Sequence, residues 1–228
     1  MRARWLAEMG ERDRAAGRYA AAGDRVARAL DLVERGGVDA AALEVALLNS
    51  LGVIHKHQGR FDDGARAYLR ALRIVRRRFG ADDPRLATLY HNLGGIEHAR
   101  GRHARGEPFA RRAVALRERA LGEDHADVAR DVAALAGILD GLGRHTEALA
   151  LHRRALAIFE RRLGREHREV GYVLENLAAC LHLAGRTPEA GSLARRAVAI
   201  MKKRLGATHP DLAHARANLA TIERSASS

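Results

Sequence analysis

One dipeptide recurs along this chain at a fixed interval. Gly-Arg stands at Gly17-Arg18, Gly59-Arg60, Gly101-Arg102, Gly143-Arg144 and Gly185-Arg186, each pair 42 residues after the last. Other columns keep the same step with no insertion. Leu51, Leu93, Leu135, Leu177 and Leu219 form one, headed by Met9. Gly10, Gly52, Gly94, Ala136, Ala178 and Ala220 form a small-residue column beside it. Ala29, Ala71, Ala113, Ala155 and Ala197 form another, and Leu32, Ile74, Leu116, Ile158 and Ile200 follow three residues later. A period of this length marks a repeat architecture, in which each unit is one supersecondary element.

Each unit reads as two helices. The first runs roughly over 84–99 in one period and stops at Gly101, and the second roughly over 104–120, stopping at Gly122. Gly just past the last turn is a common helix stop. The next first helix starts behind an acidic or Pro-bearing segment, Asp82-Asp83-Pro84, Glu123-Asp124-His125 or Thr208-His209-Pro210. An acid or Thr before the helix and Pro in its first turn fit N-terminal capping. One helix pair cannot bury its own apolar face, so neighbours must stack. The predicted fold is all-α, a right-handed α-solenoid of antiparallel helix pairs.

The predicted organisation is a single array over residues 1–228. Five units fall at about 6–47, 48–89, 90–131, 132–173 and 174–215. A final helix over 211–224 lacks a second helix, and 225–228 reads as a disordered tail. Arg216 stands where earlier units carry Leu48, Tyr90, Val132 and Leu174, which favours a capping role for that helix. Two irregularities are expected. The first unit exits through Glu34-Arg35-Gly36-Gly37, and Gly106 and Pro108 weaken the start of the third unit's second helix.

Composition narrows the function classes. Hydrophobic residues are 47% and charged residues 30%, as in a folded soluble chain, while four Pro and 4% aromatics disfavour an all-β fold. Cys180 is the single cysteine, so no intrachain disulfide and no Cys-rich zinc site can form. No apolar run approaches about 18 residues, so no membrane span is expected. Met1–Trp5 is charged and Leu6–Met9 too short for a signal-peptide core, so a cytoplasmic location is expected. The Arg and Ala excess points to a high-GC, bacterial source.

The columns resemble tetratricopeptide repeats. The residues that carry the resemblance are Asn92-Leu93-Gly94, Asn176-Leu177-Ala178 and Asn218-Leu219-Ala220, the Gly-Arg turn, and the small residues Gly64, Gly106, Ala148 and Ala190. The 42-residue unit and the stretch Leu205-Gly206-Ala207-Thr208-His209-Pro210-Asp211-Leu212-Ala213 resemble the kinesin-light-chain subclass. The resemblance covers about residues 6–224. It implies a scaffold that holds a protein or peptide in a concave groove lined by the first helices, in the manner of the sensor or partner-binding part of a bacterial regulator.

Helical geometry selects the groove residues. At 100° per residue, Asn49, Val53 and Lys56 lie about 140–200° from the packed Leu51. The same face carries His91, Gly95 and His98, then Gly137 and Asp140, then Glu175, Ala179 and His182. Gly95, Gly137 and Ala179 leave room for a ligand backbone; interior helical Gly costs about 1 kcal/mol against Ala and needs a reason. Some tetratricopeptide domains hold a C-terminal carboxylate with a Lys/Asn clamp. Val53 and Gly95 stand where its second Asn would be, so that clamp is not expected.

Charge offers an alternative surface. Lys and Arg outnumber Asp and Glu by 40 to 28, a net charge of +12. Arg28, Arg70, Arg112, Arg154 and Arg196 form one column of the second helices, and Arg35, Arg77, Arg119, Arg161 and Lys203 another, seven residues on. Stacked, they would form basic rows on the outer, convex side, able to attract an acidic partner or nucleic acid. No aromatic residues interleave for base stacking, so nucleic acid is weakly supported. Self-association through the terminal helix is a further expectation.

No catalytic residue, metal site or cofactor is expected. His91 and His98 are two turns apart, and equivalent residues of stacked units are separated by an interhelix distance of about 8–10 Å. His125, His167 and His209 lie in the repeated loop and read as structural, and Cys180 reads as packing. An enzyme using His98, Asp140 and His182 is the third alternative.

Overall fold

The computed structural model describes residues 1–36 and 40–226. Among them are eleven α-helices and no strand: α1 (Arg2–Ala15), α2 (Tyr19–Arg35), α3 (Ala41–His57), α4 (Phe61–Phe79), α5 (Arg85–Ala99), α6 (His103–Leu121), α7 (Ala126–Gly141), α8 (His145–Leu163), α9 (Arg168–Leu183), α10 (Thr187–Leu205) and α11 (Pro210–Ala226). They make five helix pairs and one last helix. Natural unit starts therefore fall at the starts of the odd-numbered helices, several residues before the starts read from the Leu column. α11 continues through Ser225 and Ala226, two of the residues read as tail, and Ser227-Ser228 lie outside the described residues. Of the irregular first exit, α2 ends at Arg35 and Gly36 keeps helical dihedrals, while Gly37 lies outside the described residues.

The Gly-Arg dipeptide makes one hydrogen-bonded joint five times over. Gly17, Gly59, Gly101, Gly143 and Gly185 all have φ between 68° and 76°. The following Arg N–H then reaches back to the carbonyl of Asp13, His55, Glu97, Leu139 or Leu181, at 2.8–2.9 Å. This is the Schellman geometry, which satisfies an orphan carbonyl at the helix end and turns the chain. Only Gly adopts that positive φ without steric cost.

The other joint is capped at its exit by a repeated residue. The Nδ1 atoms of His125, His167 and His209 accept the backbone N–H of Asp127, Glu169 and Asp211 at 3.1, 3.3 and 3.2 Å. One period earlier, the Asp83 carboxylate accepts Arg85 N–H at 3.0 Å. The capping residue in the later units is thus the histidine, and not the acid or Thr that precedes it. An imidazole serves because its unprotonated nitrogen is an acceptor like a capping carboxylate.

The chain divides into two compact units, Met1–Leu116 and Arg117–Ser228. In the first, each pair packs through the small-residue column of its first helix. A Cβ on Gly10 would sit 2.6 Å from Val26 Cγ2, one on Gly52 would collide with the Tyr68 ring, and one on Gly94 would lie 3.4–3.5 Å from Ala110 and the Gly106 carbonyl. Val26, Tyr68 and Ala110 form a column of their own, 16 residues after the small one. Its next members, in the second unit, are His152 and Ala194, behind Ala136 and Ala178. Pro108 lies inside α6, where it removes one helical hydrogen bond, yet the helix runs on to Leu121.

In the second unit Arg117 and Asp131 form a buried ion pair. Arg117 Nε donates to Asp131 Oδ2 at 2.9 Å, with the carboxylate 2% exposed. The residues one period before and after are apolar in both columns: Val75 and Phe159 for Arg117, Leu89 and Val173 for Asp131. A buried pair of this kind is weak evidence for stability, because desolvation offsets the attraction. In α11, Arg216 is exposed, whereas Leu48, Val132 and Leu174 at its column positions are buried.

The packing predicts opposite outcomes for two alanine substitutions. Gly52→Ala must displace a fully buried Tyr ring and should cost about 1–3 kcal/mol by overpacking. Gly94→Ala meets only ordinary contacts and should be neutral or stabilising by up to about 1 kcal/mol, from helix propensity. Urea unfolding of the two variants beside the wild type checks the contrast.

Candidate functional site

In the first unit the candidate face is built on α3 and α5. Asn92 Nδ2 donates to Asn49 Oδ1 at 2.9 Å, joining these two first helices. Ser50 Oγ donates to Glu11 Oε1 at 2.5 Å and joins α1 to α3 in the same way. Asn49 is thus engaged in the fold, while Val53 and His91 lie half-buried beside it. Lys56 comes next. Its Nζ lies 3.3 Å from where a Cβ on Gly95 would be. The room left by Gly95, expected for a ligand backbone, is occupied by the Lys56 ammonium.

Lys56 has no anionic partner among the described residues, and burial lowers its pKa from the ordinary lysine value. His98 stands nearby and shares a nitrogen-to-nitrogen contact of 3.2 Å with His103, across the Gly101-Arg102 turn. Burial, then His103 and Lys56, lower the His98 pKa. His55 and His57 are lowered too, by burial and then by Arg60 and Lys56 respectively. This corner of unit 1 is cationic and disfavours further protons.

The same relation recurs in the second unit with different chemistry. Asp140 and His145 repeat the positions of His98 and His103 one period on, and His145 Nδ1 lies 3.3 Å from Asp140 Oδ1. The other carboxylate oxygen faces His152 Nε2 at 3.1 Å. The Cys180 thiol also bonds to Asp140, and its sulfur lies 3.6 Å from the His145 carbonyl. Ligand atoms of Asp140, His145 and Cys180 all lie within 4.8 Å of one another. Burial pushes the Cys180 thiol up to about 12, with the Asp140 charge adding to it. Burial works against the Asp140 charge, but hydrogen bonds from His152, Cys180 and His145 hold its pKa below the ordinary aspartate value.

The remaining predicted residues of this unit do not join that cluster. Asn218 Nδ2 donates to Glu175 Oε1 at 2.9 Å, joining α11 to α9 as Asn92 joins α5 to α3. Burial raises the Glu175 pKa. Gly137, Ala179 and His182 are half-buried, and the buried Nδ1 of His182 has no partner among the described residues.

Many members of the Arg columns are tied into ion pairs. Arg70, Arg154 and Arg196 each reach the glutamate 36 residues earlier, Glu34, Glu118 and Glu160, at 2.5–2.6 Å. Arg161 and Lys203 reach Asp124 and Glu166, 37 residues earlier, at 2.7 and 2.6 Å. Arg112 lies 3.4 Å from Asp82, and Arg35 pairs with Asp31 at 2.8 Å. Apart from Arg35–Asp31, which lies within α2, these contacts join a second helix to the exit of the preceding repeat.

His145 and His152 were not singled out by sequence reasoning, although a signal existed. His152 shares its column with Val26, Tyr68, Ala110 and Ala194, and Cys180 shares its own with Ile54, Ile96, Ile138 and Ile222. A polar residue in an otherwise apolar column marks a core departure. Asp140 and His145, which meet across the Gly-Arg turn, lie neither along one helix face nor on stacked first helices, so helical spacing alone does not bring them together.

A family model described as tetratricopeptide repeat matches residues 42–105, 85–161, 131–203 and 169–227. The chain belongs to the tetratricopeptide repeat family. No curated protein matches it. Among solved structures it is similar to BtubC (BKLC) from P. vanneervenii, with 24% identity and a TM-score of 0.77 over 90% of this chain and 81% of that one. A kinesin-light-chain-type protein of nearly identical TPR-like repeats from Podosopora anserina aligns at 20% identity and TM-score 0.72, over 90% and 96%. A Rap protein complexed with Competence and Sporulation Factor aligns at 15% identity and TM-score 0.72, over 97% and 65%. The fold is therefore all-α and of the α-solenoid class, and its neighbours include kinesin-light-chain-like arrays. Among the described residues no helix is long and apolar enough to cross a membrane.

The three depressed histidines of unit 1 give stability a direction with pH. In the unfolded chain they protonate at the ordinary 6.5, before they do so in the fold. Stability is then complete above about pH 6.5 and falls as the pH drops through the lower folded values. Unfolding midpoints between pH 7.5 and 5 should decline, and His98→Gln should flatten that decline.

Proposed function

We propose that the chain is a non-enzymatic scaffold whose first unit holds an acidic peptide segment against the first-helix face, at Lys56 and His98. The observation that carries this reading is Lys56. Its side chain is exposed, its ammonium stands over Gly95, and no carboxylate pairs with it among the described residues, so an incoming anion can reach it and form a charge-assisted hydrogen bond. His98 and His103 add donors that protonation would strengthen. Asn49, Val53, His91 and Gly95 form the walls and floor around it. In the second unit Gly137, Glu175, Ala179 and His182 line the corresponding face, and Asp140 reverses the local charge.

Fold relatives support a peptide or protein ligand, since the similar Rap protein was solved with Competence and Sporulation Factor. A regulatory role in a bacterial, cytoplasmic setting is part of the same proposal. The nucleic-acid reading is less well supported, because Arg70, Arg112, Arg154, Arg161, Arg196 and Lys203 already have acidic partners.

Panning a display library of unstructured peptides on the folded chain tests the proposal. Selected peptides should be rich in Asp and Glu. Their affinity should fall roughly tenfold or more for Lys56→Ala, the worth of a charge-assisted hydrogen bond. Lys56→Glu should invert the charge preference, and Arg77→Ala should leave it intact. Peptides without acidic bias, or equal binding by Lys56→Ala, would overturn the assignment.

A further inference from the structure

We propose that the second unit binds a transition-metal ion of the zinc class between Asp140, His145 and Cys180, with His152 fixing the Asp140 carboxylate. Three helices supply the set: the end of α7, the start of α8 and the last turn of α9. A carboxylate oxygen, an imidazole nitrogen and a sulfur converge within 4.8 Å. With bonds of about 2.0–2.3 Å, the ligand atoms of a tetrahedral zinc site lie about 3.3–3.6 Å apart. Closing from the present spacing asks for side-chain shifts of roughly 1 Å. His145 and Asp140 can make them, because their side chains remain 37% and 22% exposed. That exposure also gives an ion its route in, while the buried Cys180 supplies the inner wall.

The donor set selects the metal. One thiolate and one imidazole suit zinc, cobalt or copper, and do not suit calcium or magnesium, which take oxygen shells. Binding replaces the thiol proton, which leaves to solvent. Asp140 would bind through Oδ1, since Oδ2 is already held by His152 Nε2 at 3.1 Å. Ligating carboxylates are commonly oriented by such a hydrogen bond.

His152 is the second, independent observation. Its side chain is fully buried in a column that is otherwise Val, Tyr or Ala, its Nε2 is aimed at the cluster, and its Nδ1 has no partner among the described residues. A ring also fills this position at Tyr68, but only His152 brings a nitrogen to a carboxylate there. One period earlier the corresponding residues are His98, His103 and Ile138, and two periods earlier Lys56, Phe61 and Ile96, and neither set offers three donors. The site is thus a local departure from the repeat. Three protein ligands leave a fourth coordination position open, as in zinc sites that exchange a water or a substrate.

The test uses the full chain, freed of metal with a chelator and titrated with Co²⁺ and then Zn²⁺, with circular dichroism confirming the helical fold. Wild type should take up one equivalent of cobalt with a thiolate-to-cobalt charge-transfer absorption, and zinc should displace it. Cys180→Ser should abolish that absorption. His145→Gln should weaken binding at least tenfold. His152→Gln should weaken it about 10–100-fold, as expected for an orienting partner. His182→Gln, outside the cluster, should bind as wild type. No saturable cobalt uptake by wild type, or an unchanged absorption in Cys180→Ser, overturns the proposal. If the buried substitutions unfold the chain, the half-exposed His145→Gln decides: undiminished affinity there also overturns it.

Discussion

The hydrogen bond from the arginine N–H across each Gly-Arg turn is the joint on which the rest of the structure depends. It ends the first helix of every pair at the same residue and starts the second four residues later. At two consecutive turns, side chains at equivalent positions five residues apart meet across the joint. At one turn that meeting joins two histidines, and at the next it joins an aspartate to a histidine. The joint is thus a scaffold element and also the device that brings chemistry to one end of each helix pair.

The columns show which residues are there for packing. Ala71, Ala113, Ala155 and Ala197 are buried wherever they fall, as are Leu93, Leu135 and Leu177. The Arg columns have a structural task too, joining successive units at separations of 36 and 37 residues. Surface pairs of this kind are each worth little, about 0–1 kcal/mol, but their repetition at one register favours that register over others. Against this background, His152 and Cys180 are departures from apolar columns that meet at Asp140. Arg117 and Asp131 also break apolar columns, but they satisfy one another.

Helix pairs, turn glycines and the family were legible in the sequence because each rests on local chemistry repeated at a fixed step. Gly-Arg names a Schellman turn without knowledge of any distant contact. The face of Asn49, Val53 and Lys56 was legible from helical angle, but the use of each residue was not. Asn49 is taken by Asn92 and Glu175 by Asn218, pairings that depend on how first helices stack. The space over Gly95 is filled by a side chain from the previous unit, which no periodicity states. Division into two compact units inside α6 had no counterpart in the columns, which run through Leu116 and Arg117 without a break in period. His152 was readable in principle, had its column been compared residue by residue with Tyr68 and Ala194.

A consistent account follows in which repetition supplies stability and departure from repetition supplies function. Proteins commonly hold functional polar groups at a cost to the fold. The most direct measurement replaces two departures by the residues their columns use elsewhere, His152→Val as at Val26 and Cys180→Ile as at Ile54, Ile96 and Ile138. Thermal and urea unfolding of this double variant, in chelator, would be compared with wild type. The account predicts a variant at least as stable as wild type that has lost its cobalt absorption. A variant destabilised by more than about 1 kcal/mol, well beyond a well-tolerated core swap, would show that His152 and Cys180 serve the fold, and would contradict it.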